Sequence, residues 1–168
     1  AYCDSQYGVA VCNGTIALHL ALVSLGIGEG DEVIIPTFTM IASAFAVCYT
    51  GAKPVFVDAD KDTSNIDVKK IEEKITSKTK AIMPVHIFGK MCDTDAIVAL
   101  AKKYHLYIVE DAAEAHGAEY KGRKAGSFSD IAAFSFFANK NITTGEGGMV
   151  VTNDEQIYQR AKYFKNVC

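Results

Sequence analysis

The sequence predicts an α/β domain built on a mixed, mainly parallel sheet flanked by helices. Three observations carry that expectation. Short apolar runs bounded by turn residues alternate with longer helical patterns along the chain, as in a sheet whose strands are joined by helical crossovers. Runs such as Ala81-Ile82-Met83-Pro84-Val85 are apolar on successive residues, which suits strands covered on both faces. No internal repeat, low-complexity tract or long linker divides the 168 residues, a length ordinary for one domain.

The elements follow in order. Thr15 to Leu25 is helical in length and apolar nearly all round, so it reads as a buried helix. Gly26 to Gly30 ends it. Glu32 to Ile35 is a short strand stopped at Pro36, and Thr39 to Tyr49 a second apolar helix closed by Gly51. Pro54 to Val57 is the next strand. Ile66 to Ile75 carries Val68, Ile71 and Ile75 on one face, which predicts a surface helix capped by Asp67. Lys80 to Val85 is a strand, and Asp93 to Tyr104 a helix with Ile97, Leu100, Ala101 and Tyr104 on one face. Leu106 to Glu110, Ile131 to Phe136 and Gly148 to Thr152 complete the strands, and Asn153 to Phe164 is a closing helix.

Composition narrows the classes of function. A chain 49% hydrophobic and 22% charged with three prolines is globular. Its net charge of −3, without a Lys/Arg block, gives no basic face for nucleic acid. No apolar run approaches the roughly 18 residues of a membrane span, and Ala1 to Ala10 lacks a signal peptide's pattern. Cys3, Cys12, Cys48, Cys92 and Cys168 are scattered and odd in number, with no CxxC pair. Free thiols in a reducing cytoplasm are expected, with no disulfide framework and no metal site. The chain opens without Met and ends at Cys168 just after a helical pattern, so it reads as a piece of a longer protein.

In parallel sheets, ligands sit beyond the carboxyl ends of the strands. Thr37 to Met40, His86, Asp111 to Glu114 and Ser135 to Lys140 occupy those positions. Asn13-Gly14-Thr15 opens a helix, where outward N–H groups can hold an anion. Taken alone, the tripeptide is more simply a helix cap by Asn13. Glu110-Asp111 closes a strand beside small alanines, which leave room for a flat ring, although a solvated acidic loop, or Asp111 capping a turn, is an equal reading. The run Phe134 to Lys140 delivers a hydroxyl at Ser135 and an amine at Lys140. A desolvated lysine can form a Schiff base, while a lone loop lysine is usually just solvated. The glycines Gly145, Gly147 and Gly148 permit a tight turn, but without the spacing of a Walker phosphate loop.

Taken in order, NGT, ALHLAL, LGIGEGDEVIIPTFT, GAKPVFVD, PVHIFG, EDAAEAHGA and FSFFANKNITTGEGGMV resemble the DegT/StrS-type sugar aminotransferases. These have the aspartate-aminotransferase-like fold, and the ITTGEGG ending looks most like perosamine synthases. The resemblance runs nearly end to end and implies a partial large domain over residues 1–168, with a first segment and a small C-terminal domain absent. It implies pyridoxal 5′-phosphate, held as a Schiff base by Lys140, which would also shuttle a proton. Asp111 would pair with the pyridine nitrogen. The Gly14 and Thr15 amides and the Ser135 hydroxyl would hold the phosphate, and Glu114 would lie near the ring hydroxyl. Met40 departs from the pattern, since an aromatic often covers the ring face there; its polarizable sulfur can do the same.

The implied activity is transfer of an amino group, usually from glutamate, to a nucleotide-linked 4-keto-6-deoxy sugar, in a homodimer. Rival readings are an inactive or regulatory remnant, and a sugar 3-dehydratase of the same family, in which histidine replaces the lysine. A cysteine desulfurase is a further rival, which the FSF…NK…TGEGG pattern disfavours. His86 reads as structural, and His116 as a weaker candidate for touching the site.

Overall fold

The structure is a computed structural model that describes residues 2–167; Cys168 lies outside them. A seven-stranded sheet forms the centre. Its strands are β1 (Tyr7–Val11), β2 (Glu32–Pro36), β3 (Lys53–Val57), β4 (Thr79–Ile82), β5 (Tyr107–Asp111), β8 (Ile131–Ser135) and β9 (Gly148–Thr152). Their spatial order is β1-β9-β8-β5-β4-β2-β3. Every neighbouring pair from β8 to β3 is parallel. β9 turns back antiparallel on β8, and β1 runs antiparallel to β9. The mixed, mainly parallel α/β architecture is therefore as the sequence predicts.

Alternation along the strands explains the layers. Val33 and Ile35 of β2 join one buried cluster and Ile34 joins another. Likewise Val109 and Ile108 of β5 go to opposite faces. On one face lie α1 (Gly14–Ser24), α2 (Ile41–Tyr49) and α4 (Glu155–Val167); α3 (Thr94–Tyr104) covers the other. The helix α1 is buried along most of its length, because it packs against α2, α4 and the sheet together. Asn13 caps it by accepting from the Ile16 N–H at 2.9 Å, and Asp93 caps α3 by accepting from Ala96 N–H.

The predicted surface helix from Ile66 to Ile75 is not formed. Two 3-10 turns, Val68–Lys70 and Glu72–Lys74, stand in its place. Asp67 does cap, but the Lys69 N–H it receives opens a tight turn. Beyond it Ile75 is extended, because the Thr76 N–H bonds to the Thr79 hydroxyl in a turn leading into β4. Ile71 is fully buried in the second cluster, so the apolar spacing recorded burial but not helix type. The sequence reading also lacks β1 and a two-stranded hairpin, β6 (Glu119–Tyr120) with β7 (Arg123–Lys124). Among the described residues, no helix is long and apolar enough to cross a membrane.

Candidate functional site

The carboxyl ends of β2, β4, β5 and β8 meet the first turn of α1 around one concave region. One cavity of about 370 Å³ is lined by Gly14, Thr15, Met40, Asp111, Glu114, Ser135 and Lys140, among others. All seven residues that the sequence reading singles out thus face one space. A second cavity of about 230 Å³ shares Met40, Asp111, Glu114 and Lys140 and adds Phe38, Ile87 and Phe88.

Asp111 ends β5 and is buried. Its Oδ2 accepts from the Ser43 hydroxyl at 2.8 Å, and its Oδ1 from the Ala113 N–H at 3.2 Å. Burial pushes its carboxyl above the usual range, against those two hydrogen bonds, which pull it down. A buried carboxylate that faces a cavity is a site for a cation or a protonated ring nitrogen. The sequence reading misses Ser43. Its signal is faint: one hydroxyl in the otherwise apolar α2 run Ile-Ala-Ser-Ala-Phe-Ala-Val.

Without that cation, Asp111 opposes folding. Its folded pKa lies above the unfolded one, so the penalty is full above the folded pKa and absent below the unfolded value of about 3.9. Asp111→Asn is expected to raise the unfolding midpoint of the ligand-free protein at pH 7 and to leave it unchanged near pH 3. Thermal melts at both pH values check this, and equal midpoints at pH 7 refute it.

Lys140 follows β8 in the turn after Phe137, whose carbonyl accepts the Lys140 N–H. Its side chain is only 12% exposed, and its Nζ lies 3.6 Å from Glu114 Oε1. The other carboxylate oxygen of Glu114 accepts the Phe88 N–H at 2.8 Å. Glu114 therefore tethers the loop after β4 to the lysine.

At the opposite end of the cavity, Gly14 begins α1 against Ser135. A Cβ on Gly14 would lie 2.7 Å from the Ser135 Cβ, so only glycine lets the helix N-terminus approach this hydroxyl. The Asn13 cap and the cavity coexist, because Asn13 spends its side chain on Ile16 while Gly14 and Thr15 line the space. Met40 precedes α2 and is 66% exposed at the rim.

The two histidines separate. His86 is buried and pairs through Nε2 with Glu110 Oε2 at 3.1 Å, while its Nδ1 accepts the Cys92 N–H. That pattern places the proton on Nε2 and makes His86 a structural group of the core. His116 lies beside the Phe134 and Phe136 rings. Burial and then the Lys140 charge push it below the usual imidazole range, against a weaker upward pull from the Ser135 backbone. Four cysteines, Cys3, Cys12, Cys48 and Cys92, are free thiols, and no group of three or more metal-ligating side chains occurs among the described residues.

The donor set fits pyridoxal phosphate: a part-buried amine, a buried carboxylate facing the same cavity, and a glycine-opened helix N-terminus beside a hydroxyl for a phosphate. The chain is similar to several known proteins. GDP-perosamine synthase from Escherichia coli O157:H7 is 61% identical over 95% of this chain and 44% of its own length. An aminotransferase from Psychrobacter cryohalolentis superposes with a TM-score of 0.96 at 51% identity, over 98% of this chain and 42% of that one. NtdA from Bacillus subtilis, solved with bound cofactor PMP, superposes at 0.88 with 36% identity, over 95% of this chain and 36% of its own. The chain thus spans less than half the length of these relatives. The profile of the DegT/DnrJ/EryC1/StrS aminotransferases matches residues 1–168, and the chain belongs to that family.

Proposed function

We propose that the chain is the greater part of the cofactor-binding large domain of a pyridoxal-phosphate-dependent sugar aminotransferase. More than half of the length of GDP-perosamine synthase lies outside the matched region. The substrates are an amino-acid donor, glutamate, and a nucleotide-linked 4-keto-6-deoxy sugar. The observation that carries this reading is the convergence of Lys140, Asp111 and the α1 N-terminus on one cavity. The GDP-perosamine synthase likeness supports a nucleotide-linked acceptor.

When bound, pyridoxal phosphate supplies an electron sink for carbanion chemistry. The protein's residues do the rest. Lys140 Nζ would hold the cofactor covalently and would carry the proton taken from the donor's α-carbon. The Asp111 carboxylate holds a proton on the ring nitrogen. The Gly14 and Thr15 N–H groups and Ser135 Oγ would hold the phosphate, with Glu114 toward the ring hydroxyl and Met40 toward a ring face. The donor leaves as a 2-oxo acid, and the acceptor's ketone becomes an amine.

The outer face of α2 carries Ile41, Phe45 and Tyr49 exposed, with Phe45 and Tyr49 in ring contact. This supports a homodimer that covers them. Free thiols support a cytoplasmic setting. The intact natural protein, incubated with glutamate and a panel of nucleotide-linked 4-keto sugars, should aminate at least one of them. Failure with all of them would favour a non-catalytic remnant.

A further inference from the structure

Phe88 is held in a conformation that its own chemistry disfavours. Its backbone is left-handed, at φ 51° and ψ 28°. The other non-glycine residues with positive φ are Asp4, Ser64, His105 and Lys121, so among the described residues Phe88 is the one apolar side chain so placed. A bulky residue adopts this region only where neighbours over-determine it. Here they do. The Phe88 N–H is given to Glu114, the preceding Ile87 N–H to Asn65 Oδ1, and the following Gly89 N–H to the His86 carbonyl.

The strain does not serve burial. Phe88 is 81% exposed, more than any other large hydrophobic side chain among the described residues. Its ring meets Phe38 edge to face at 6.5 Å, and both rings line the cavity that contains Asp111 and Lys140. The fold thus holds an aromatic ring out of the core and beside the proposed reacting centre.

We propose that Phe88, buttressed by Phe38, is the specificity-determining platform on which the acceptor's sugar ring lies. This rests on the aminotransferase reading above. The negative face of an aromatic ring attracts positively polarised C–H groups, and a pyranose presents a face of them. The amino-acid donor is the poorer occupant. Its second carboxylate needs a cation, whereas the charged side chain bonded to the Phe88 segment is Glu114, itself anionic. Among the described residues, Lys140 is the one cation lining this cavity, and in the proposed reaction it is committed to the chemistry.

The test uses the intact natural protein with Phe88→Gly and Phe88→Tyr. Glycine adopts positive φ freely, so it keeps the loop and its N–H to Glu114 while removing the ring. Phe88→Gly is expected to raise KM for the nucleotide-linked keto sugar about tenfold and to leave KM for glutamate within about twofold. By calorimetry on the cofactor-free protein, it should erase most of the extra affinity that a GDP-linked 4-keto-6-deoxyhexose has over GDP alone. Phe88→Tyr, which keeps the aromatic face, should restore both. An unchanged acceptor KM in Phe88→Gly overturns the proposal, and so do equal losses toward donor and acceptor, which mark a structural role. Absence of amine transfer by the unaltered protein is a separate outcome: it removes the aminotransferase reading, and the proposal with it.

Discussion

Lys140→Ala is expected to abolish covalent capture of pyridoxal phosphate by the intact protein and to lower turnover by at least about 10²- to 10⁴-fold, the span usual for a positioned proton-transfer group. The geometry leaves no substitute. Among the described residues, Lys140 is the one lysine lining either cavity of the site. The cofactor should still bind, because the α1 N-terminus, Ser135 and Asp111 are untouched. Borohydride reduction followed by peptide mapping provides the check. The unaltered protein should carry the reduced cofactor on Lys140, and the variant should release it on denaturation. A retained covalent adduct in the variant would falsify the assignment.

Glu110→Ala is expected to lower unfolding free energy by at least about 3 kcal/mol, since each of three buried donors that loses its acceptor costs about 1–3 kcal/mol. Three donors converge on that carboxylate: His86 Nε2–H at 3.1 Å, the Gly126 N–H at 2.7 Å and the Phe128 N–H at 3.0 Å. Alanine leaves all three buried without an acceptor. Burial alone would raise the Glu110 pKa, but the hydrogen bonds from His86 and Gly126 outweigh it and hold the carboxyl below its ordinary value. A depressed folded pKa contributes stability above the unfolded pKa of about 4.3, and that contribution is lost as pH falls through the folded pKa. The variant's deficit should therefore be full at pH 7 and shrink in acid. Denaturant midpoints at pH 7 and pH 4 measure both parts, and a deficit below about 1 kcal/mol at pH 7 would sink the account.

Glu110 and Asp111 also show how far the sequence can be read. As an acidic pair ending a strand they are indistinguishable. The fold separates them, because adjacent residues of β5 face opposite sides of the sheet. One meets a histidine and two amides, and the other meets a cavity. The parallel strands were legible because double-sided burial leaves continuous apolar runs. β1 was not, because only Val9 of Tyr-Gly-Val-Ala-Val is buried. The β6–β7 hairpin was hidden by its turn. Lys121 and Gly122 both take positive φ, as a two-residue hairpin turn requires, but lysine is not the residue that usually announces it. The candidate residues after β5 and β8 were named through the family resemblance and Phe38 lay within the singled-out run Thr37 to Met40, whereas Ser43 and Phe88 were not named. Their significance lies in contacts between segments far apart in the chain.

The meeting of Gly148 with Asn13 bears on when the site can exist. A Cβ on Gly148 would stand 2.2 Å from the Asn13 carbonyl oxygen, and its strand β9 pairs with β1 from Tyr7↔Thr152 to Val11↔Gly148. The loop that opens α1 therefore rests on a strand made more than a hundred residues later. Such distant pairings form late in folding. A chain emerging from the ribosome would present Asn13-Gly14-Thr15 early, yet could not fix their geometry until β9 had been synthesised and had closed the edge of the sheet. If Gly14 and Thr15 hold a phosphate as proposed, its capture would report that the sheet is complete, and free cofactor would selectively stabilise chains that have reached that point.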